Sequence, residues 1–532
     1  MILSLLLALV LAGAVLLHAL RYQPYSIDLG LCLLLAALFC LAVTAYKVLV
    51  YPFLVSPLRH IPTPKGHWLL GQTIRQLRAS SPHAAAVDWM REFPSADLIR
   101  PLMLGNLEVV LVSSPRALRE VSQAQCYSFV KPGFLFRTAG EIIGETGVFF
   151  AEGDAHRQQR KSLAGPFLMG NVKRSMPIML AKGDQLAGCM GALLSDYGDV
   201  IEVTSVIAKA TVDLIAKAVL GYDLDSLTHS SEFYVRSMEV MHLSTTDQIM
   251  LALNNFFPAR KWIPLKANRR FLHANNVIKQ LLEDHVKQRI SELSQESDID
   301  EKLGSTDTDI FTMILRGYIE RGQPLCQDVL VSQLRTLMVA GHESTSNSVI
   351  WCLHMLSTHP SVQTRLRTAI YAATSNGSFT YDSIQSIEYL DHVIKEATRI
   401  LPPFVSLLRT AAQDVDICGT LIPAGTLLMM YPAVSQLNPS IWGPNVDEFD
   451  PDRWYNLPKA AHDPYVYQTF HSGTRVCVGR AFALLEIKVF LVKLLLKWEF
   501  HAVDKKVKMP WSGFALKPTN ALRLRVTPAT LP

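Results

Sequence analysis

The stretch FHSGTRVCVG, residues 470 to 479, decides how this chain folds. Five of its positions describe a tight loop around a sulfur atom: Phe470, Gly473, Arg475, Cys477 and Gly479. Glycines let the backbone turn closely around the sulfur, and the helix that follows directs free N–H groups and a positive dipole end towards it. Because these effects and the nearby arginine favour thiolate over thiol, we expect Cys477 to be a metal ligand rather than an inert buried cysteine.

A thiolate held in this way is a suitable fifth ligand for haem iron, where its electron donation favours O–O cleavage. The loop resembles the F-x-x-G-x-R-x-C-x-G signature of the cytochrome P450 family of haem-thiolate monooxygenases. Five fixed positions would match by chance with a probability on the order of 10⁻⁴ per chain. The resemblance covers essentially everything after residue 66, and it implies haem b with Cys477 as the axial ligand.

A second matching motif is LMVAGHESTS, residues 337 to 346. It resembles the A/G-G-x-D/E-T-T/S stretch of the family's central helix, with Glu343 and Ser344 as an acid–alcohol pair. An acid beside a hydroxyl can relay protons through water to the dioxygen-binding side of a haem. Ser344 occupies the usual threonine position, and Thr345 is a second candidate alcohol. Gly341 costs about 1 kcal/mol relative to alanine inside a helix, so we expect dioxygen to approach the backbone there.

The third motif places Glu396 and Arg399 three residues apart in KEATRI, and therefore on one helix face. Such pairs are common on solvated helices. Here FDPDRW, residues 449 to 454, follows and resembles the family's Phe-x-Pro-Glu-Arg-Phe segment. The resemblance implies a buried Glu396–Arg399–Arg453 network, which needs all its partners because a buried unpaired charge costs several kcal/mol.

Candidate ligands for the haem propionates also follow from the resemblance. In EGDAHRQQRKSL, residues 152 to 163, His156 and Arg160 share one helix face and occupy places where the family binds propionates. Arg409 and Arg475 are the other matching cations. Arginine and imidazole donors suit two carboxylates, since charge-assisted hydrogen bonds are the stronger ones.

Apolar spacing predicts the surrounding secondary structure. Helical patterns cover residues 115–125, 153–164, 200–220, 270–293, 325–357, 361–373, 389–400 and 479–498. Strand-like pieces cover residues 107–112, 415–419 and 522–527. This ratio predicts a mainly α protein with a small β-sheet region, and the acidic, Ser/Thr-rich residues 294–309 predict an exposed loop.

The amino-terminal end is apolar in two runs, residues 1 to 20 and 29 to 46. The first run is long enough to cross a hydrocarbon core of about 30 Å, so we predict a membrane anchor of one or two helices over residues 1–50. Positive charge after the second run places the remainder in the cytosol. A proline-rich, stiff linker is predicted over residues 51–66, and the haem-binding catalytic domain over residues 67–532.

Composition limits the classes of partner. The 532 residues carry 51 Lys+Arg and 46 Asp+Glu, a net charge of +5, and only 18% are charged, which argues against a nucleic-acid-coating protein. The scattered cysteines contain no CxxC pair, so a disulfide scaffold or zinc module is not expected. No phosphate-binding G-x-G-x-x-G follows a strand, so the resemblance implies a separate NADPH-dependent flavoprotein reductase, with Arg480 and Lys488 as candidate contacts.

Pocket residues are inferred from their place in the family rather than from a motif. The candidates are aromatic: Phe134, Phe136, Phe256, Phe257, Phe404 and Phe514. An apolar lining favours a lipophilic substrate such as a terpenoid, polyketide or alkaloid, although half of these rings can equally belong to the core. Residues 251–265 mix aromatic and basic side chains, and we expect them to dip into the bilayer.

Three functions are compatible with these motifs. The first is an O2-dependent monooxygenase at the endoplasmic reticulum membrane, resembling fungal microsomal members of secondary metabolism. The second is a haem-thiolate isomerase or dehydratase acting on a hydroperoxide, and the third a haem-binding scaffold without catalysis. The acid–alcohol pair at Glu343 and Ser344 favours the first.

Overall fold

The computed structural model describes residues 29–241, 245–254, 259–295, 309–374, 377, 379–504, 506–510 and 515–530. Most of these residues are helical, and the strands form small sheets, as the family resemblance and the apolar spacing predicted. The longer helices are α1 Leu29–Ala45, α2 Ala84–Glu92, α3 Gly153–Ala164, α4 Met176–Tyr197, α5 Val203–Leu220, α6 Glu232–Met241, α7 Thr245–Asn254, α8 Lys266–Gln295, α9 Ile310–Glu320, α10 Gln327–Thr358, α11 Pro360–Thr374, α12 Glu388–Ile400 and α13 Arg480–Lys497.

Short helical turns connect these elements. They lie at Thr73–Leu77, Pro115–Arg119, Gly133–Leu135, Glu141–Ile143, Met169–Arg174, Ala259–Trp262, Tyr381–Gln385, Pro432–Gln436 and Pro439–Trp442. The strands are β1 Leu98–Ile99, β2 Val109–Val112, β3 Phe129–Val130, β4 Val200–Glu202, β5 Leu407–Ala411, β6 Val415–Ile417, β7 Thr420–Ile422, β8 Leu427–Met430, β9 Trp498–Ala502 and β10 Arg523–Pro528.

The largest sheet has the strand order β1-β2-β8-β5-β3. Its β2–β8 pair is parallel and its other pairs are antiparallel, with Val110 opposite Leu428. A second sheet has the order β4-β10-β9, and β6 and β7 form a hairpin. The residues of β2 are buried on both faces, which explains why its sequence is continuously apolar rather than alternating.

Helix α10 runs through the principal core and packs against α5. The glycine of the central motif lies at this crossing, since a Cβ on Gly341 would come within 2.6 Å of Ile215 Cδ1. The close neighbour on the Cβ side of this backbone is therefore an α5 side chain, and the approach of dioxygen to Gly341 stays a prediction. Helix α5 begins at Val203, after the short strand β4, where the sequence predicted a helix from residue 200.

Helix α4 has no counterpart among the helices predicted from the sequence. Its glycines lower the helical propensity of the segment, but they also allow close packing. A Cβ on Gly183 would lie 3.0 Å from Lys493 Cγ of α13, and one on Gly191 would lie 3.2 Å from the ring of Trp498. Tertiary contact with α13 and β9 thus stabilises a helix that the local sequence disfavours.

The predicted first apolar run lies outside the described residues. Helix α1 continues into a π-helical segment, Tyr46–Val55, and residues Leu34–Val55 are long and apolar enough to cross a membrane by length and composition. The helix therefore extends beyond residue 50, into the predicted linker. Residues 56–66 are not a free spacer, because Leu58 and Ile61 are buried in a core cluster with strands β1, β2 and β8.

The structure brings the charged network of the third motif together in the interior. Glu396 accepts hydrogen bonds from Arg399 at 2.8 and 2.9 Å and from Arg453 at 3.2 Å, and the carboxylate is completely buried. The Trp454 indole N–H donates to the same carboxylate at 3.0 Å. A phenylalanine, which the family often has at this position, could not make that bond. The remaining Arg399 donors reach the backbone carbonyls of Gln436 and Val446.

Glu396→Gln is expected to lower the free energy of unfolding by about 3–5 kcal/mol, because it leaves two buried guanidinium groups without their carboxylate. Asp452→Asn is the matched control. Asp452 pairs with Arg365 at 2.7 Å close to the network in sequence, but the two side chains are 51% and 50% exposed. An exposed pair is worth less than about 1 kcal/mol. Denaturant unfolding of both variants in detergent measures the difference, and equal losses would contradict burial as the cause.

Candidate functional site

The cysteine loop packs closely against the backbone of another segment of the protein, around Ser122. Gly473 has a φ of +76°, and a Cβ there would lie 2.3 Å from the carbonyl oxygen of Ser122. The Cys477 N–H donates to the carbonyl of Phe470 at 2.9 Å, and helix α13 begins three residues after the cysteine. Only glycine fits position 473, because this position requires both a left-handed backbone conformation and the absence of a side chain.

Burial, one backbone N–H and two guanidinium groups act on the thiol of Cys477. Burial raises the pKa of the Cys477 thiol, and the Gly479 backbone N–H and the guanidinium groups of Arg160 and Arg480 oppose that effect without overcoming it. Without a bound metal these groups only partly offset the effect of burial, and a thiolate at Cys477 stays a prediction. A coordinated metal deprotonates a thiol outright, so the same loop suits a sulfur that binds iron.

Three cations converge on one carboxylate close to this loop. Lys131 Nζ lies 2.7 Å from Glu152 Oε1, and Arg475 donates to Glu152 Oε2. Burial lowers the pKa of Lys131 to about 7, with further contributions from Arg409 and Arg475, and burial lowers the pKa of Arg409 to about 10. The local charge is thus strongly positive, because one carboxylate faces three cations.

Two of the predicted propionate ligands, His156 and Arg160, border this cluster on α3. Burial lowers the pKa of His156 to about 4, with Arg475, Lys131 and Arg160 adding to the effect, so the imidazole is neutral at pH 7. Its Nδ1 lies 3.1 Å from the hydroxyl of Tyr127. Arg160 interacts electrostatically with Cys477.

Sequence reasoning missed Lys131, Glu152 and Tyr127. Glu152 stands within the EGDAHRQQRKSL segment, directly before α3, so a search for carboxylates near the candidate cations could have found it. Lys131 and Tyr127 carry no local signal, since they approach the site only through strand β3.

The cation cluster fits a dicarboxylate cofactor. Buried charges require partners, and Arg475 Nε is buried without a hydrogen-bond partner among the described residues. Two carboxylates, as haem b carries, would balance the excess charge of Lys131, Arg409 and Arg475. The residues present therefore fit haem, with Cys477 as the iron ligand.

The acid–alcohol motif lies on α10, and its members face different surroundings. The Ser344 hydroxyl donates to the carbonyl of Ala340 at 2.7 Å and is partly exposed. Thr345 is only 1% exposed, and its hydroxyl has no partner among the described residues. Glu343 Oε1 lies 3.6 Å from Lys517 Nζ, an ion pair that no motif predicted.

A family model described as Cytochrome P450 matches residues 61–524. The chain belongs to the cytochrome P450 family. The Cytochrome P450 monooxygenase sphH of Aspergillus fumigatus is 28% identical over 506 residues, which cover 91% of this chain and 90% of that protein. The Cytochrome P450 monooxygenase FUM15 of Gibberella moniliformis is 27% identical over 87% of this chain and 86% of its own length. Cytochrome P450 714C2 of Oryza sativa is 26% identical, covering 82% and 81%.

The aromatic candidates for the pocket of this P450 are only partly described. Phe136 packs on Phe150 with ring centroids 4.6 Å apart, in a cluster that includes Phe134. Phe404 pairs with Ala515 in an isolated β-bridge. Phe256, Phe257 and Phe514 lie outside the described residues, so part of the 251–265 segment does as well.

Of the two candidate reductase contacts, the structure excludes one. The Lys488 side chain is 2% exposed and lies 2.8 Å from Asp391, so it is a paired core residue of this P450 and was wrongly chosen. Arg480 is exposed, with its guanidinium 5.7 Å from the centre of the Phe470 ring.

Gly473→Ala is expected to reduce the haem content per protein and to destabilise the fold, because the new Cβ would overlap the Ser122 carbonyl. Gly425→Ala is the matched control, since Gly425 has a similar φ of +83° with no neighbour within 4 Å. Both variants carry the left-handed cost of about 1–2 kcal/mol, and only the first adds a clash. Haem-to-protein ratio and melting temperature measure the result; equal behaviour of the two variants would contradict the role of close contact.

Proposed function

We propose that this P450 is a membrane-bound monooxygenase that oxidises a lipophilic small molecule, by hydroxylation or a related reaction. Electrons would come from a separate NADPH-dependent flavoprotein reductase. The proposed location is the endoplasmic reticulum membrane, with the catalytic domain facing the cytosol. Helix Leu34–Val55 supports attachment to a membrane by its length and apolar character.

One observation carries the proposal: a cysteine loop surrounded by unbalanced cations occurs in the same chain as an acid–alcohol pair on the central helix. Haem bound to Cys477 supplies the iron that activates dioxygen. The protein residues supply the protons and the charge balance. Lys131, Arg409 and Arg475 would hold the propionates, and the Arg160 guanidinium supports negative charge on the sulfur.

Ser344 is the better candidate for the relay alcohol. Its bond to the Ala340 carbonyl fixes the hydroxyl rotamer and leaves both oxygen lone pairs free to accept from water. Thr345 is buried, so its hydroxyl cannot exchange protons with water without a rearrangement. Glu343, partly exposed beside Lys517, is the proposed acid.

A lipophilic substrate is supported by the aromatic side chains Phe134, Phe136 and Phe404, although the Phe136–Phe150 contact shows that at least one of them also serves packing. The likeness to monooxygenases of Aspergillus fumigatus and Gibberella moniliformis supports a fungal type of enzyme. On that basis we place the reaction in secondary-metabolite biosynthesis, with a terpenoid, polyketide or alkaloid substrate.

The two alternatives require fewer of the observed groups. An isomerase or dehydratase acting on a hydroperoxide needs neither external electrons nor a proton relay, so Glu343 and Ser344 would have no task. A haem-binding scaffold would leave the same pair unexplained. The monooxygenase is the function that uses all of these residues.

The reduced, CO-bound absorption spectrum of membranes containing the protein tests the haem–thiolate assignment. We expect the band typical of thiolate-ligated haem in the native protein and its loss in Cys477→Ala. The absence of that band from native protein that folds and binds haem would overturn the assignment. Metabolite profiling of a deletion strain then identifies the substrate, and substrate turnover that continues without NADPH or reductase would favour the isomerase.

Ser344→Ala is expected to lower the product formed per NADPH by about tenfold or more, since it removes the hydroxyl that orders the relay water. Thr345→Val is the matched control. It keeps the shape of the side chain and removes a hydroxyl that has no hydrogen-bond partner in the described part of the chain, so turnover should be unchanged and stability equal or higher. Both variants are assayed with the reductase and the substrate found by profiling. A loss confined to Thr345→Val would assign the relay to Thr345 instead.

A further inference from the structure

The membrane helix makes hydrogen bonds with the catalytic domain through its backbone carbonyls. The segment Tyr46–Val55 is π-helical and contains Pro52, which has no N–H to donate. Carbonyl oxygens carry two lone pairs and can accept bonds from outside a helix. Asn106 Nδ2 donates to the Val48 carbonyl at 2.9 Å, and Arg100 Nη1 donates to the Pro52 carbonyl at 2.9 Å.

Asn106 connects the helix to a second turn of the domain. The same Nδ2 donates to the carbonyl of Trp68 at 2.8 Å, and the neighbouring Gly105 N–H donates to the carbonyl of Leu69 at 2.9 Å. Asn106 is 2% exposed and has a φ of +54°, a backbone conformation that asparagine tolerates better than most residues. A single buried amide therefore fixes the helix and the Trp68 turn relative to each other.

Arg100 makes the second attachment to the helix. The carbonyl that it binds, that of Pro52, lies four residues after the Val48 carbonyl. Its Nη1 also lies 2.8 Å from Glu108 Oε1, and Ser56 Oγ donates to that carboxylate oxygen at 2.6 Å. The Arg100 and Glu108 side chains are 5% and 14% exposed. Because the hydrogen bonds to Val48 and Pro52 lie at two separate places on one helix, they restrict the direction of the helix relative to the catalytic domain as well as its position.

An apolar surface patch lies beside this attachment. Trp68, Leu104 and Leu107, which we call the interfacial patch, are 65%, 62% and 60% exposed. Val48 lies seven residues before the helix end at Val55. Asn106 is bonded to Val48, so the patch lies level with the carboxyl-terminal part of the apolar span.

We propose that Asn106 and Arg100 hold the catalytic domain at a fixed orientation to the membrane helix, so that the interfacial patch inserts into the lipid surface beside it. The inference rests on the membrane attachment in the proposed function and is independent of the reaction catalysed.

Lipid is the occupant that these surroundings fit. The patch adjoins the helix at the Asn106–Val48 hydrogen bond, and Leu49 and Phe53 of that helix are both 46% exposed. Tryptophan is enriched at membrane–water interfaces, where an apolar ring and a polar N–H are both accommodated. Exposed Arg59 and Lys65 lie in the adjoining segment and complement anionic headgroups.

The test measures quenching of tryptophan fluorescence by lipids spin-labelled near the headgroup, with the full chain in nanodiscs. A Trp262→Phe background removes the other exposed tryptophan among the described residues. Comparing it with the Trp68→Phe, Trp262→Phe double variant isolates the quenching that depends on Trp68. Asn106→Asp keeps the shape and the φ tolerance but replaces the donor by an acceptor, and Asn106→Gly removes the side chain without backbone strain.

We expect quenching in the background protein that the Trp68→Phe change abolishes. Both Asn106 variants should lower the Trp68-dependent part about twofold or more, as further orientations become populated. Asn456→Ala is the control, because Asn456 is exposed and its substitution should leave quenching unchanged.

Equal quenching with and without Trp68 would overturn insertion of the patch, and unchanged quenching in both Asn106 variants would overturn the role of Asn106. The reduced CO spectrum of each variant reports folding, and its failure in native protein would refute the haem assignment while leaving the quenching result valid.

Discussion

The structure of this P450 depends on buried positive charge that the protein does not balance by itself. Lys131, Arg409 and Arg475 converge on Glu152, and burial holds the pKa values of the first two well below their ordinary range. The free energy cost of such an arrangement falls when anions enter it. Lys131 follows strand β3, Arg409 lies on strand β5 and Arg475 lies in the cysteine loop, so a dicarboxylate cofactor would link three separate parts of the chain. Binding of such a cofactor would for this reason be coupled to the fold around Glu152.

The Glu396 network shows the opposite arrangement. Its carboxylate has two arginine partners and one indole N–H, and the remaining Arg399 donors reach backbone carbonyls. It needs nothing from outside the protein. One set of buried charges is therefore structural and complete, whereas the other retains an excess of cations that a dicarboxylate ligand would balance. The distinction separates two groups of arginines that look alike in the sequence.

Motif reasoning succeeded where the function of a residue depends on its immediate neighbours in the chain. The cysteine loop and the start of α13 are local, and they were found where the sequence placed them. It did not predict contacts with residues that come from distant parts of the chain. Gly341 meets Ile215 of α5, Lys488 is paired with Asp391 in the interior, and α4 is stabilised by contacts with α13 and β9 that its own glycines permit. Periodicity records the burial of a face but not the identity of the side chain opposite.

The sequence by itself determined the family, the cysteine loop, the mainly α fold and the apolar amino-terminal end, because each rests on a local pattern of residues. The tertiary structure alone decided which alcohol of the central helix is partly exposed, which cations surround Glu152, and how Asn106 and Arg100 bond to the apolar helix that ends at Val55. These properties depend on distances between segments far apart in the chain. Such distances follow from packing, which no single segment specifies.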